Sequence, residues 1–92
     1  MFDVSVLLEE NSLFGKLVVD SYFFEESKYD YAFYLCRDGQ KGKLDARWYD
    51  DSMEVVFDVT DMSGSFYIRC FIRDKEIKNI RTFDSKNIDV LE

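Results

Sequence analysis

The stretch GSFYIRCFIRD, residues 64–74, decides the fold of this chain. Its side chains alternate between two sets, as in a β-strand with one buried and one exposed face. The first set is apolar: Phe66, Ile68, Cys70 and Ile72. The second set combines aromatic rings with cations: Tyr67, Arg69, Phe71 and Arg73. Because arginine is rarely buried without a partner, we predict that the second set faces outward and the first fills the core.

The same period of two recurs along the rest of the chain. Further strands are predicted at residues 2–8, 13–20, 29–37, 43–49, 53–59 and 77–83. Polar turns separate them, and Asp38-Gly39 is a hairpin signal because both residues tolerate a positive φ. Residues 21–28 (SYFFEESK) fit a continued strand, a short helical turn or an irregular loop. Residues 85–90 are expected to trail off the sheet or lead to a neighbouring domain.

About seven short strands broken by polar turns predict an all-β fold, an antiparallel β-sandwich. A length of 92 residues allows one domain, spanning positions 1–92. We expect it to be excised from a larger protein, with Met1 and Leu91-Glu92 as cloning additions. With no proline to blunt the edge strands, charged side chains must protect them. The predicted aromatic core is Phe2, Phe33 or Tyr34, Trp48, Phe57 and Phe66.

Composition excludes several classes of function. The chain has 12 basic and 19 acidic residues, a net charge of −7, and no histidine. An acidic balance argues against binding a phosphate backbone, so no nucleic-acid partner is expected. Without histidine there is no Ser-His-Asp triad and no imidazole ligand, and we predict no enzyme activity and no cofactor. Uncharged stretches are too short to insert into a membrane.

The acidic residues and the cysteines have structural interpretations. Asp50-Asp51, Asp58 with Asp61 and Asp84 with Asp89 lack the spacing of a calcium loop, so solvated turns and no metal site are predicted. Cys36 and Cys70 are predicted to be reduced, buried thiols. The compartment stays open, with the reduced thiols and the lack of a signal peptide favouring the cytoplasm.

Three segments together resemble a known family. They are YDYAFYLCRDG at residues 29–39, Trp48-Tyr49, and the stretch at residues 64–74. A tyrosine-rich strand entering an Asp-Gly hairpin, followed by a Gly-x-aromatic approach to a later strand, resembles the three-tyrosine β-sandwich domains of bacterial proteins. This sequence departs from that pattern in placing Phe66 where the family tends to have tyrosine, with Tyr67 one position later. The resemblance implies an immunoglobulin- or fibronectin-III-like sandwich that acts as an accessory module.

The candidate interaction face consists of Tyr67, Arg69, Phe71 and Arg73. If the strands at residues 29–37 and 66–73 are neighbours, an aromatic ring of the first strand extends this face, with Tyr31 as the candidate and Tyr29 and Tyr34 as the alternatives. Aromatic rings beside arginines suit docking to another protein domain or stacking on a sugar. The expected function is therefore a non-catalytic interaction module of a larger bacterial protein. The alternative is a carbohydrate-contacting module of an enzyme related to surface polysaccharides. The remaining alternative is an ordinary sheet face, on which arginine stems cover tyrosine rings.

Overall fold

The computed structural model describes residues 1–91, which form eight β-strands and one short 3-10 turn at Glu26–Lys28. The strands are β1 (Phe2–Glu9), β2 (Ser12–Val19), β3 (Tyr29–Arg37), β4 (Asp45–Asp50), β5 (Glu54–Asp58), β6 (Gly64–Asp74), β7 (Ile80–Asp84) and β8 (Ile88–Val90). The predicted all-β class is confirmed. Glu92, part of the expected cloning addition, lies outside the described residues.

Two antiparallel sheets pack against one hydrophobic core. The first has the strand order β1-β2-β5, and the second has the order β4-β3-β6-β7, with β8 also paired to β6. The fully buried side chains of the core come from both sheets: Leu13, Leu17, Tyr31, Phe33, Leu35, Phe66, Ile68 and Cys70. This arrangement is that of a β-sandwich.

Strand β6 lies in the centre of the second sheet and has the two faces predicted for it. Its apolar set is buried, with Phe66, Ile68 and Cys70 completely inaccessible. Its second set is half-buried on the opposite face of the sheet. The alternation is reliable here because β6 pairs with β3 along nine consecutive residues, without a break in register.

The expectation that residues 85–90 trail off the sheet is wrong. Both β7 and β8 pair with β6, and Ser85 connects them from a buried position. The N–H of Ser85 donates to the carbonyl of Ile68 at 2.9 Å, and its hydroxyl accepts from the N–H of Ile68 at 2.9 Å. The Ser85 hydroxyl takes the place of a main-chain carbonyl as the acceptor for the N–H of Ile68. This buried donor therefore stays paired where the chain passes from β7 to β8.

Residues 21–28 form an irregular loop that ends in the 3-10 turn. Phe24 packs beneath it, with its ring centre 5.4 Å from that of Phe2 and 5.0 Å from that of Tyr29. Tyr22 and Phe23 are exposed. Two of the three predicted alternatives therefore occur: residues 21–25 form an irregular loop with a single aromatic ring packed under it, and residues 26–28 form a short helical turn.

Aspartate side chains cap main-chain donors on two edge strands. The carboxylate of Asp3 on β1 accepts a hydrogen bond from the N–H of Val4 at 2.9 Å. Asp45 on β4 accepts one from the N–H of Ala46 at 2.8 Å. A charged side chain beside an unpaired strand edge disfavours pairing with another chain, which fits the prediction that charge protects the edges here.

Candidate functional site

The candidate site is the outward face of the second sheet. The register places Tyr34 opposite Arg69, Cys36 opposite Tyr67 and Asp30 opposite Arg73. Residues directly opposite each other on antiparallel strands point to the same side of the sheet. The structure therefore brings together four of the five predicted residues, which are Tyr67, Arg69, Phe71 and Arg73.

The fifth predicted residue, Tyr31, is not on this face. It lies opposite Ile72 in the core and is completely buried. Its hydroxyl donates to the carbonyl oxygen of Glu26 at 2.9 Å, and burial raises the pKa of the phenol. Tyr31 therefore anchors the loop of residues 21–28, and placing it on the interaction face was wrong. Tyr34 extends the face instead, with its ring centre 4.6 Å from that of Phe71.

A β-bulge in β4 adds two further aromatic residues. Phe33 is opposite Arg47 and Tyr31 is opposite Asp50, so two residues of β4 face the single Ala32 of β3. Those two residues are Trp48 and Tyr49. The Trp48 ring lies edge-on to Tyr34 with centres 6.2 Å apart, and Tyr49 stacks 3.9 Å from the guanidinium carbon of Arg73. A bulge turns consecutive side chains to the same side of a sheet.

The prediction that Trp48 belongs to the core is wrong, because its side chain is 65% exposed. Five aromatic residues from three adjacent strands form a surface that we call the aromatic face: Tyr34, Trp48, Tyr49, Tyr67 and Phe71. Trp48 is the most exposed of them. Large, rigid and partly accessible rings of this kind are typical of the central contacts in protein interfaces.

Both arginines of β6 are held by cross-strand ion pairs. Arg73 contacts the Asp30 carboxylate at 3.0 and 2.7 Å, and Arg69 contacts the Asp84 carboxylate at 2.7 and 3.1 Å. The hydrogen bonds from Arg73 lower the pKa of Asp30. Two-point contacts of this kind hold the guanidinium planes in position. Both guanidinium groups therefore lie beside the aromatic rings with their charge already paired to a carboxylate, so neither is a free cation for binding a ligand.

The two thiols lie on opposite sides of the same sheet. Cys36 is on the outward side opposite Tyr67, and Cys70 is on the inward side opposite Phe33. Both are free and buried, as predicted, and burial raises the pKa of Cys70 to about 12. A thiol with so high a pKa is a poor nucleophile at neutral pH, so Cys70 serves as an apolar filler.

The acidic pairs do not converge on a common point. Within residues 1–91, no three Cys, Asp or Glu side chains are placed to share a metal ion. Several of the carboxylates have partners within the protein, since Asp50 pairs with Arg47, Asp58 accepts from Thr60, and Asp84 pairs with Arg69. No helix in the described part of the chain is long and apolar enough to cross a membrane.

Comparison with known proteins does not assign a family. No protein-family model, curated protein or solved structure matches this chain.

Sequence reasoning found β6 but missed the residues that β4 contributes. Trp48 was predicted to lie in the core, whereas Arg47 takes the inward position at this point of β4, with its guanidinium carbon 4.8 Å from the centre of the core ring of Phe33. One signal for the bulge was present, because Trp48-Tyr49 places two large aromatic residues side by side where alternation requires one to be buried.

Proposed function

We propose that this chain is a non-catalytic interaction module that presents its aromatic face to a neighbouring domain or partner protein. The observation that carries the proposal is the bulge in β4, which leaves the only tryptophan of the chain 65% exposed beside Tyr34. An exposed tryptophan gains nothing for the isolated fold, but it becomes a strong binding contact when a partner covers it.

The strand order supports the immunoglobulin- or fibronectin-III-like class. In the constant immunoglobulin arrangement the fourth strand joins the sheet of the first, second and fifth strands. Here β4 pairs with β3, beside β6 and β7, which gives three strands in one sheet and the rest in the other. This variant fits a fibronectin-III-like module. Together with the resemblance to three-tyrosine domains, it favours an accessory role in a larger bacterial protein.

Carbohydrate contact is the second candidate, and the position of Lys43 favours it. Its ammonium nitrogen is 5.1 Å from the centre of the Tyr34 ring, on the aromatic face close to Trp48. A carbohydrate site needs at least an aromatic ring that stacks on the sugar and a hydrogen-bond donor that reaches a sugar hydroxyl. Here Tyr34 supplies the ring and the Lys43 ammonium supplies the donor. A protein partner is the stronger candidate because the rings extend across three strands rather than forming one narrow platform.

Site-specific photo-crosslinking tests the proposal. With a photoreactive residue in place of Trp48 in the native gene product, we expect one discrete product, within the same chain or with one partner. The control position is Ile77, which is 71% exposed in the β6–β7 loop and should give no such product. Once the contact is identified, Trp48→Ser should weaken it by at least about tenfold while the melting temperature is unchanged.

Three outcomes separate the alternatives. Equal crosslinking from positions 48 and 77, or a Trp48→Ser variant that binds its partner as tightly as the parent, contradicts a docking role for the aromatic face. A glycan array followed by a chemical-shift titration examines the second candidate. Shifts confined to Trp48, Tyr34 and Lys43 at millimolar sugar would favour carbohydrate binding over a protein partner.

A further inference from the structure

A second apolar surface lies on the outward side of the first sheet, away from the aromatic face. Leu7 on β1 is opposite Phe14 on β2, and Phe14 is opposite Val56 on β5. The three side chains are 56%, 38% and 57% exposed. They form one continuous row across all three strands, which we call the apolar row.

The residues on either side of the apolar row are polar and mostly acidic. On one side, Ser12 lies between Glu9 and Asp58. The Asp58 carboxylate accepts hydrogen bonds from the N–H and hydroxyl of Thr60 at 2.9 and 2.6 Å, and these lower its pKa. Asp58 therefore stays ionised well below neutral pH, and this side of the row carries two negative charges.

A basic residue borders the row on its other side. Lys16 lies opposite both Ser5 and Glu54, and its ammonium nitrogen is 3.7 Å from the Glu54 carboxylate. That pair is exposed and neutral overall. The row is therefore bordered by uncompensated negative charge at Glu9 and Asp58 and by a neutral pair on its far side.

This charge pattern disfavours a second copy of the chain as the occupant. With a two-fold axis parallel to the strands, two such surfaces placed face to face would bring Glu9 and Asp58 of both copies together. With the axis along the row, those carboxylates would meet only the neutral Lys16–Glu54 pair of the other copy. The whole chain also has a net charge of −7, which adds a general repulsion between copies. A partner that supplies apolar side chains with lysine or arginine beside them satisfies both features.

The dimensions of the row indicate the form of that partner. Adjacent strands lie about 4.8 Å apart, so three strands place the outer members of the row about 10 Å from each other. Seven residues of an α-helix rise about 10.5 Å, so side chains at positions i, i+3 or i+4, and i+7 span the same distance. Basic residues flanking that stripe would reach Glu9 and Asp58.

We propose that the apolar row binds a short, basic amphipathic helix that lies across the strands of the first sheet. Leu7, Phe14 and Val56 contact its apolar stripe, and Glu9 and Asp58 pair with its lysine or arginine side chains. This site is on the other sheet from the aromatic face and does not depend on it. A module with both surfaces can contact two partners at once.

A peptide titration tests this proposal. The probe is a synthetic fifteen-residue helical peptide. It has leucine at positions i, i+4 and i+7, and lysine at the helix positions on both sides of this apolar stripe. The control peptide has glutamate at every lysine position. We expect the lysine peptide to shift the amide resonances of Leu7, Phe14 and Val56, and to bind more weakly as salt is added. The glutamate peptide should leave those resonances unchanged.

Conservative variants separate this site from nonspecific attraction to an acidic protein. Val56→Thr retains the shape and strand preference of the side chain, and Glu9→Gln removes one charge. Each should weaken binding of the lysine peptide roughly threefold or more, whereas Ile77→Ser should not change it. Equal binding of both peptides, shifts confined to the aromatic face, unchanged affinity in Val56→Thr, or self-association through the row would each overturn the proposal.

Discussion

Replacing Arg47 with alanine is expected to lower the free energy of unfolding by about 2–3 kcal/mol, because its guanidinium joins the two sheets. It donates to the carbonyl oxygens of Glu54, Ser52 and Tyr31 at 2.7, 2.8 and 3.1 Å. These acceptors lie on β5, on the link between β4 and β5, and on β3. Alanine would remove this donor from all three carbonyls at the rim of the core, and within residues 1–91 only that of Glu54 would keep another side-chain donor, the Ser52 hydroxyl at 3.0 Å.

Urea denaturation of matched variants measures this effect. Arg47→Lys should fall between the parent protein and the alanine variant, since one ammonium group cannot reproduce the planar fork of a guanidinium. The control is Lys16→Ala, which removes a cation from an exposed ion pair on the first sheet and should cost less than about 1 kcal/mol. If Arg47→Ala and Lys16→Ala were equally stable, Arg47 would have no role in joining the sheets.

Replacing Gly15 with alanine is expected to destabilise the fold by about 1–3 kcal/mol, although alanine is less flexible and should otherwise help. Gly15 lies on the inward side of β2, opposite Val55 of β5 and facing Ile68 of the other sheet. An added Cβ would be 2.6 Å from Cδ1 of Ile68 and 3.1 Å from Cγ1 of Val55. One of those buried side chains would have to move within a closely packed core.

A double-mutant cycle shows whether this contact is the cause. Ile68→Val removes the Cδ1 atom nearest to the added methyl and should cost about 0.5–1.5 kcal/mol alone. In Gly15→Ala with Ile68→Val, we expect the combined loss to be clearly smaller than the sum of the two single losses. Strict additivity would mean that the cost of Gly15→Ala arises elsewhere.

The sequence predicted the central strands well because they pair on both sides. Strand β6 has neighbours along both edges, and each of its arginines finds a carboxylate on an adjoining strand, Asp30 or Asp84. Alternation between apolar and charged residues then reports directly which side is buried. The inward positions of Phe66, Ile68 and Cys70 followed from that rule and are confirmed.

The rule failed on β4 because an arginine can point inward at the rim of a sandwich. The guanidinium of Arg47 lies over the Phe33 ring, with its central carbon 4.8 Å from the ring centre, and it also reaches main-chain carbonyls and Asp50. The prediction that Trp48 lies in the core is wrong for this reason. The adjacent aromatic residues Trp48 and Tyr49 indicate a bulge, but its position depends on pairing with β3, which the alternation of side chains alone does not define.

Tyr31 and Ser85 show a similar limit. Both carry a hydroxyl group, and neither is predicted to be buried. Hydrogen bonds to main-chain groups satisfy each hydroxyl in its buried position: Tyr31 donates to the carbonyl of Glu26, and Ser85 accepts from the N–H of Ile68 and donates to the carbonyl of Lys86. Those partners are brought there by the folded chain, so the sequence pattern gave no indication of them.

The central claim is that the bulge in β4 turns Trp48 outward to form the aromatic face. Because Trp48 is the only tryptophan, fluorescence excited at wavelengths too long for the six tyrosines to absorb reports on it alone. We expect an emission maximum close to that of the urea-unfolded chain, and acrylamide quenching nearly as efficient in the folded as in the unfolded state. A blue-shifted emission protected from acrylamide would place Trp48 in the core and contradict the claim.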